Sequence, residues 1–342
     1  MSDIEDILEP QSKLLDKNYT GPLFLWDIDK TYLNTKFESL GGLIRTALEK
    51  AHQKENIAGT AVLLKQLSHG PSEKPQNNPV FFISASPKQM RKVIQQKMKL
   101  DGVSFDGIVF KDNLKNLYHG KLRKIKEQMG FKLSELLRLH LLLPPNCKMY
   151  LFGDDFENDA IIYMLFSDMC SRILSSEDII KILKYYRVFP EDMRHILNLV
   201  GQIPKNNPVQ RVYIHLERYS DPKKFEKFGS SLVTSYNFFQ AALHLYYEQL
   251  ISMDALERVA RDLLENYYFT AKRIAWSIED VAMRGLVPHK ILSEICEILQ
   301  GKLNIELHLH NPVSQIPEAV VQTLKAQVEN IFKDPIKKYL PN

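Results

Sequence analysis

Cysteine is scarce in this chain, with Cys147, Cys170 and Cys296 the three among 342 residues. An odd number so widely separated supplies neither a disulfide framework nor the close pairs of a zinc site, and suits buried thiols in a reducing compartment. Charge of one sign is lacking as well. The formal net charge is only +4, so the whole-chain balance requires no nucleic-acid partner. Nor is there a long apolar run. The most apolar stretch, 136–143, is interrupted by Arg138 and His140 and stopped by Pro144 and Pro145, too short to span a bilayer. The first residues are acidic and lead into no apolar core, so no secretory signal is expected. Internal repeats and low-complexity tracts are missing too, and the expectation is a cytoplasmic globular protein.

What is present is ordinary in bulk, with 44% apolar and 25% charged residues, and specific in detail. At this length one large domain and a smaller one are expected. Three apolar runs that read as buried strands break off at a small polar or acidic residue. They are Phe24-Leu25-Trp26-Asp27-Ile28-Asp29-Lys30-Thr31, Phe81-Phe82-Ile83-Ser84, and Met149-Tyr150-Leu151-Phe152-Gly153-Asp154-Asp155, with Asp159 four residues further on. Parallel strands of an open α/β sheet hold ligands just past their carboxyl ends, so three such endings predict one site.

The residue types define a chemistry for that site. A carboxylate at a strand tip attacks phosphorus to give an aspartyl-phosphate, and Asp27 is the natural nucleophile. Asp29, two residues on, is placed to protonate the leaving oxygen and then to take a proton from water. Clustering Asp27 and Asp154, with Asp29, Asp155 and Asp159 as neighbours, is repulsive without a cation. Mg2+ fits a few carboxylates plus phosphoryl oxygens. Ser84 and a lysine near position 132 offer a hydroxyl and a charge to the phosphoryl group. An EF-hand is excluded because Tyr32 and Leu33 stand where its loop needs glycine, and no glutamate closes it.

At these residues the chain resembles the haloacid-dehalogenase (HAD) superfamily of phosphohydrolases, with its Asp-x-Asp-x-Thr, strand-terminal Ser, Lys and Gly-Asp signatures. Over roughly 20–250 it looks most like the catalytic domain of the actin-patch-associated phosphatidate phosphatase group. Supporting segments are 58–65, 83–87, 108–112 and 209–214. Where that group usually carries Asp-Ile-Asp-Asp-Thr, Ser-Asn-Ser-Pro and Gly-Asp-Ser, this chain has Lys30, Ala85 and Asp155. The resemblance implies a lysine opening the helix before the fourth strand, assigned here to Lys132 over Lys121 and Lys124. It also implies Asp27 and Asp29 as catalytic residues, Thr31, Ser84 and Lys132 on the substrate, and Asp27, Asp29, Asp154 and Asp155 around Mg2+.

The expected architecture is α/β: a HAD-like Rossmannoid parallel sheet flanked by helices in residues 1–250, with a minimal cap, a helical insertion at about 170–205, and a mainly helical region at 251–342. Helices are expected at 37–53 and 60–67, after a Ser86 cap with Pro87 in first position, at 176–200 in two pieces, and at 237–250, 277–284, 288–299 and 317–332. Residues 303–310 read as extended, with His308 and His310 as surface residues. The basic run Lys88, Arg91, Lys92, Lys97 and Lys99 reads as a solvated face, the alternative being a rim for a large anionic substrate or a membrane surface. The function expected is Mg2+-dependent hydrolysis of a phosphate monoester on a lipid, polymer or protein. The alternative is a catalytically weak scaffold with the same fold. Oligomeric state is open.

Overall fold

Each strand is short, rich in aromatic and branched residues, and buried along nearly its whole length. Continuous burial rather than alternation is the mark of a parallel sheet covered on both faces. The computed structural model describes residues 15–35, 50–111, 121–309 and 334–340. In it β1 (Pro22–Asp27), β2 (Val80–Pro87), β3 (Gly107–Lys111), β4 (Lys148–Asp154), β5 (Val209–His215) and β6 (Leu232–Ser235) form one sheet in the order β3-β2-β1-β4-β5-β6. Every pairing is parallel. The order reverses at β1, between β2 and β4, which makes the carboxyl ends of those strands the crevice where such sheets hold ligands.

Helices cover both faces. On one lie α1 (Thr60–His69), α2 (Arg91–Leu100), α7 (Phe238–Tyr247), α8 (Met253–Asn266), α9 (Ala271–Met283) and α10 (His289–Leu303), whose apolar residues share one core with Phe24, Trp26, Phe82 and Phe152. On the other lie α3 (Lys121–Leu142), α4 (Asp159–Ser171), α5 (Ser176–Tyr185) and α6 (Pro190–Gln202), packed on Leu23, Leu25, Phe81 and Leu151. Trp26, Phe152 and Tyr213 stack across β1, β4 and β5 with ring centroids 4.1 and 4.8 Å apart. That ladder ties the three strands whose tips matter most, because stacked rings add attraction beyond the area they bury.

Several elements differ from the expectations. Strand β2 runs through Ser86 to Pro87, and Ser86 caps no helix; its hydroxyl is bonded to Asp29 instead. Helix α9 starts six residues before position 277, because Thr270 accepts a hydrogen bond from the Arg273 amide and sets its amino end. Residues 303–309 contain no strand; α10 runs to Leu303 and Asn304 terminates it at φ 52°. Lys97, in the basic run, is buried and donates to Asn56 and Asp101. The helix at 37–53 is described only at Ala51–Gln53, a 3-10 turn. Its remainder, the helix at 317–332, His310 and the side chains of Lys121, Lys124 and Lys126 lie outside the described residues.

Candidate active site

Strand β1 delivers Asp27 to the carboxyl end of the sheet, between β2 and β4, and the chain then turns tightly. Lys30 takes φ 64°, and the amides of Tyr32 and Leu33 both return to the Ile28 carbonyl. The turn carries Thr31 back to the tip of β4, where its Oγ1 donates to Asp154 Oδ2 at 3.3 Å. It also points Asp29 towards β2, where Oδ2 accepts from Ser84 Oγ at 3.0 Å and Ser86 Oγ at 2.7 Å. Both hydroxyls reach the same carboxylate across the stretch where the pairing of β2 with β3 shifts register.

Lys132 enters from α3 and is fully buried. Its Nζ lies 2.8 Å from Asp27 Oδ1, 2.8 Å from Glu157 Oε2 and 2.5 Å from Asp159 Oδ1. Gln128, one turn earlier on α3, holds the other Glu157 oxygen at 2.5 Å. Asp159 opens α4, and its Oδ2 also receives the Asp154 amide at 3.3 Å. Gly153 makes that approach feasible, because a Cβ there would stand 2.5 Å from Asp159 Oδ2. Asp154 Oδ1 accepts the amides of Phe156 and Glu157 at 2.5 and 3.0 Å, which fixes its carboxylate over the β4 turn.

The structure thus joins Asp27, Thr31, Lys132 and Asp154 into one connected set through Glu157 and Asp159, and ties Asp29 to Ser84 and Ser86 at the tip of the neighbouring strand β2. Asp155 is directed elsewhere. Its oxygens accept the Arg218 and Ser220 amides at 2.9 and 3.3 Å, holding the loop after β5. Sequence reasoning gave no site role to Glu157 or Gln128, and read Ser86 as a helix cap. The available signals were Ser86 lying two residues from Ser84 and an acid following Asp155 by two; nothing local distinguished Gln128.

Electrostatics argues for a cation here. Asp27 and Asp154 are fully buried, and burial first, then neighbouring carboxylates, pushes both well above the usual carboxylate range. Burial also lifts Asp159 to about 6. For Lys132 burial pulls downward, but Asp159, Asp27 and Glu157 outweigh it and hold the ammonium charged. Three carboxylates, Asp27, Glu157 and Asp159, therefore meet a single ammonium, with the buried Asp154 joined to the set through its backbone amide on Asp159. Asp27 Oδ2, wholly buried, accepts no hydrogen bond among the described residues, an expensive state for a carboxylate oxygen unless a cation or an incoming group meets it. Asp27, Glu157 and Asp159 each place an oxygen within 4.8 Å of the others, a buried acidic set compatible with a divalent ion. Lys132 already touches all three, so the unpartnered oxygen of Asp27 is the one that fits an added cation.

Residues 24–174 match the family model described as "Phosphatidate phosphatase APP1, catalytic domain". That stretch runs from β1 through α4 and includes every residue of the cluster, so the resemblance read from the four motifs stands over it. No curated protein and no solved structure matches the chain.

Proposed function

We propose that this protein is a divalent-metal-dependent HAD-type phosphatase that cleaves a phosphate monoester through an aspartyl-phosphate on Asp27, with phosphatidate as the substrate indicated by the family model it matches. The observation that carries this reading is the buried, unpartnered Asp27 Oδ2 beside the Lys132 ammonium at the point where strand order reverses. A carboxylate so placed is a poor structural ion and a good nucleophile, since the site supplies charge balance without capping the attacking oxygen.

Asp27 attacks phosphorus, forming the Oδ–P bond as the bond to the leaving alkoxide breaks. Asp29 gives that alkoxide a proton and then removes one from the water that hydrolyses the acyl-phosphate. Ser84 and Ser86 position Asp29 through their hydroxyls. We assign Ser84 and Thr31, and the Lys132 ammonium, to the phosphoryl oxygens when substrate is bound. Asp27 and Asp154 would hold Mg2+, which neutralises phosphoryl charge that otherwise repels an anionic nucleophile. Asp29 and Asp155 have the other carboxylate tasks already described.

Phosphate release from phosphatidate and from a panel of soluble monoesters, with and without Mg2+, tests this. Asp27→Asn should abolish release while circular dichroism stays unchanged, and chelation should do the same to the wild type. Undiminished turnover in Asp27→Asn excludes the mechanism. Metal binding with no turnover on any ester favours the scaffold reading.

A further inference from the structure

Helix α9 lies across the helical layer at the same end of the sheet as the site. Its middle is tied to the first turn of α7 by Asn237 Nδ2 to Ser277 Oγ at 3.0 Å and Gln240 Nε2 to Asp280 Oδ2 at 2.8 Å. Just beyond its end, Arg284 Nη1 donates to the Thr234 carbonyl at 2.8 Å. Thr234 and Asn237 sit at the carboxyl end of β6, where Ser235 pairs with His215 and His215 with Asp154. Two strand spacings of about 5 Å separate that end from Asp154, so α9 and the candidate active site share one rim.

The inward face of α9 is apolar and buried through Ile274, Ile278 and Val281. On the opposite face Lys272, Trp276 and Met283 fall within roughly 40° of one another at about 100° per residue. Trp276 is 51% exposed and Met283 59%, and Tyr268, just before the helix, is 94% exposed. The charges beside the rings at the start of α9 are cationic: Lys272 Nζ lies 4.7 Å from the Trp276 ring and the Arg273 guanidinium 3.8 Å from that of Phe269. Asp280 is engaged by Arg284 and Gln240, and Glu279 is buried.

Large rings left half in water and flanked by ammonium and guanidinium groups suit the headgroup layer of a bilayer, where the rings lie among glycerol and ester groups and the cations meet lipid phosphates. No described helix is long and apolar enough to cross a membrane, so contact through these residues would be at the surface. We propose that this row docks the protein on an anionic bilayer and sets the Asp27 site at the lipid surface. That the site then acts on a phosphorylated lipid rests on the function proposed above; the docking itself does not.

The chain has two tryptophans, Trp26 in the buried ladder and Trp276 in this row, so fluorescence reports the face directly. Phosphatidylcholine vesicles containing phosphatidylserine should blue-shift the emission, brominated acyl chains should quench it, and salt should weaken both. Trp276→Ala should lower vesicle partitioning on the order of tenfold. It should reduce release from vesicle-borne phosphatidate and leave release from a soluble monoester unchanged. The proposal is overturned if the wild type ignores anionic vesicles or if Trp276→Ala partitions as the wild type does. It is also overturned if the row instead mediates concentration-dependent self-association without vesicle binding. Vesicle binding lost in Trp276→Ala, with no turnover on any ester, would uphold the docking and reject the phosphatase reading.

Discussion

Lys132 is where the chemistry and the stability of this site meet. An ammonium in contact with three carboxylates and shielded from water stays charged because removing any member of the set leaves buried charge uncompensated. Lys132→Met should therefore cost about 3–5 kcal/mol in urea unfolding, beyond the transfer gain of an apolar side chain, and should remove phosphate release. A variant as stable and active as the wild type would show that the three carboxylates do not depend on it. Asp27, Ser84 and Asp154 were legible in the sequence because each ends an apolar run, and a run has a readable end. Lys132 has no such marker within 121–142, a helix whose lysines look alike until its fold places one of them beneath the sheet tips. Glu157 and Gln128 are less visible still, since their roles arise only once α3 and the β4 turn are side by side.

Among the elements, the turn from β4 into α4 decides whether the cluster assembles. Gly153 lets Asp159 fold back over the strand so that one oxygen meets the Asp154 amide and the other meets Lys132. Gly153→Ala places a carbon where that carboxylate stands, and the residue that must yield is itself buried and bonded. Turnover should fall at least about tenfold, with roughly 1–3 kcal/mol of stability lost as packing strain. Gly201 in α6 is the control, because a Cβ there meets nothing within 4 Å and alanine should be neutral or stabilising by up to about 1 kcal/mol. Equal effects at the two glycines would sink the account. The sequence announced the three strands that end at the site, the paired helices at 176–200 and the helix at 237–250 through their patterns of apolar residues. It misplaced the end of β2 because Ser86-Pro87 is a good helix opening locally, and only the distant Asp29 claims the serine hydroxyl.

Across the whole molecule, one sheet is clamped between two cores, and each contains a buried neutral histidine. His140 in α3 packs edge-on against Phe166 at 6.0 Å, and His244 in α7 shares a hydrogen bond of 3.0 Å with the Tyr213 hydroxyl. Burial pushes both down to about 4 from the ordinary 6.5. The sign follows from which state binds the proton first. As pH falls below 6.5 the unfolded chain protonates these rings while the folded protein does not, so stability is lost down to the folded value near 4. The raised site carboxylates act oppositely. Asp159, with a folded value of about 6, contributes stability that is present at low pH and fades as pH rises through that value. The observed acid arm is thus a difference of two slopes, and substitution at one histidine separates them. His140→Leu should cut the stability lost between pH 7 and pH 4.5 by about 2–3 kcal/mol in urea titrations. His244→Gln, which keeps an acceptor for Tyr213, should cut it by a similar amount. An acid arm with unaltered slope in both variants would mean that these rings already carry their proton in the folded state, and that burial on the two faces of the sheet is not what sets the acid limit of the fold.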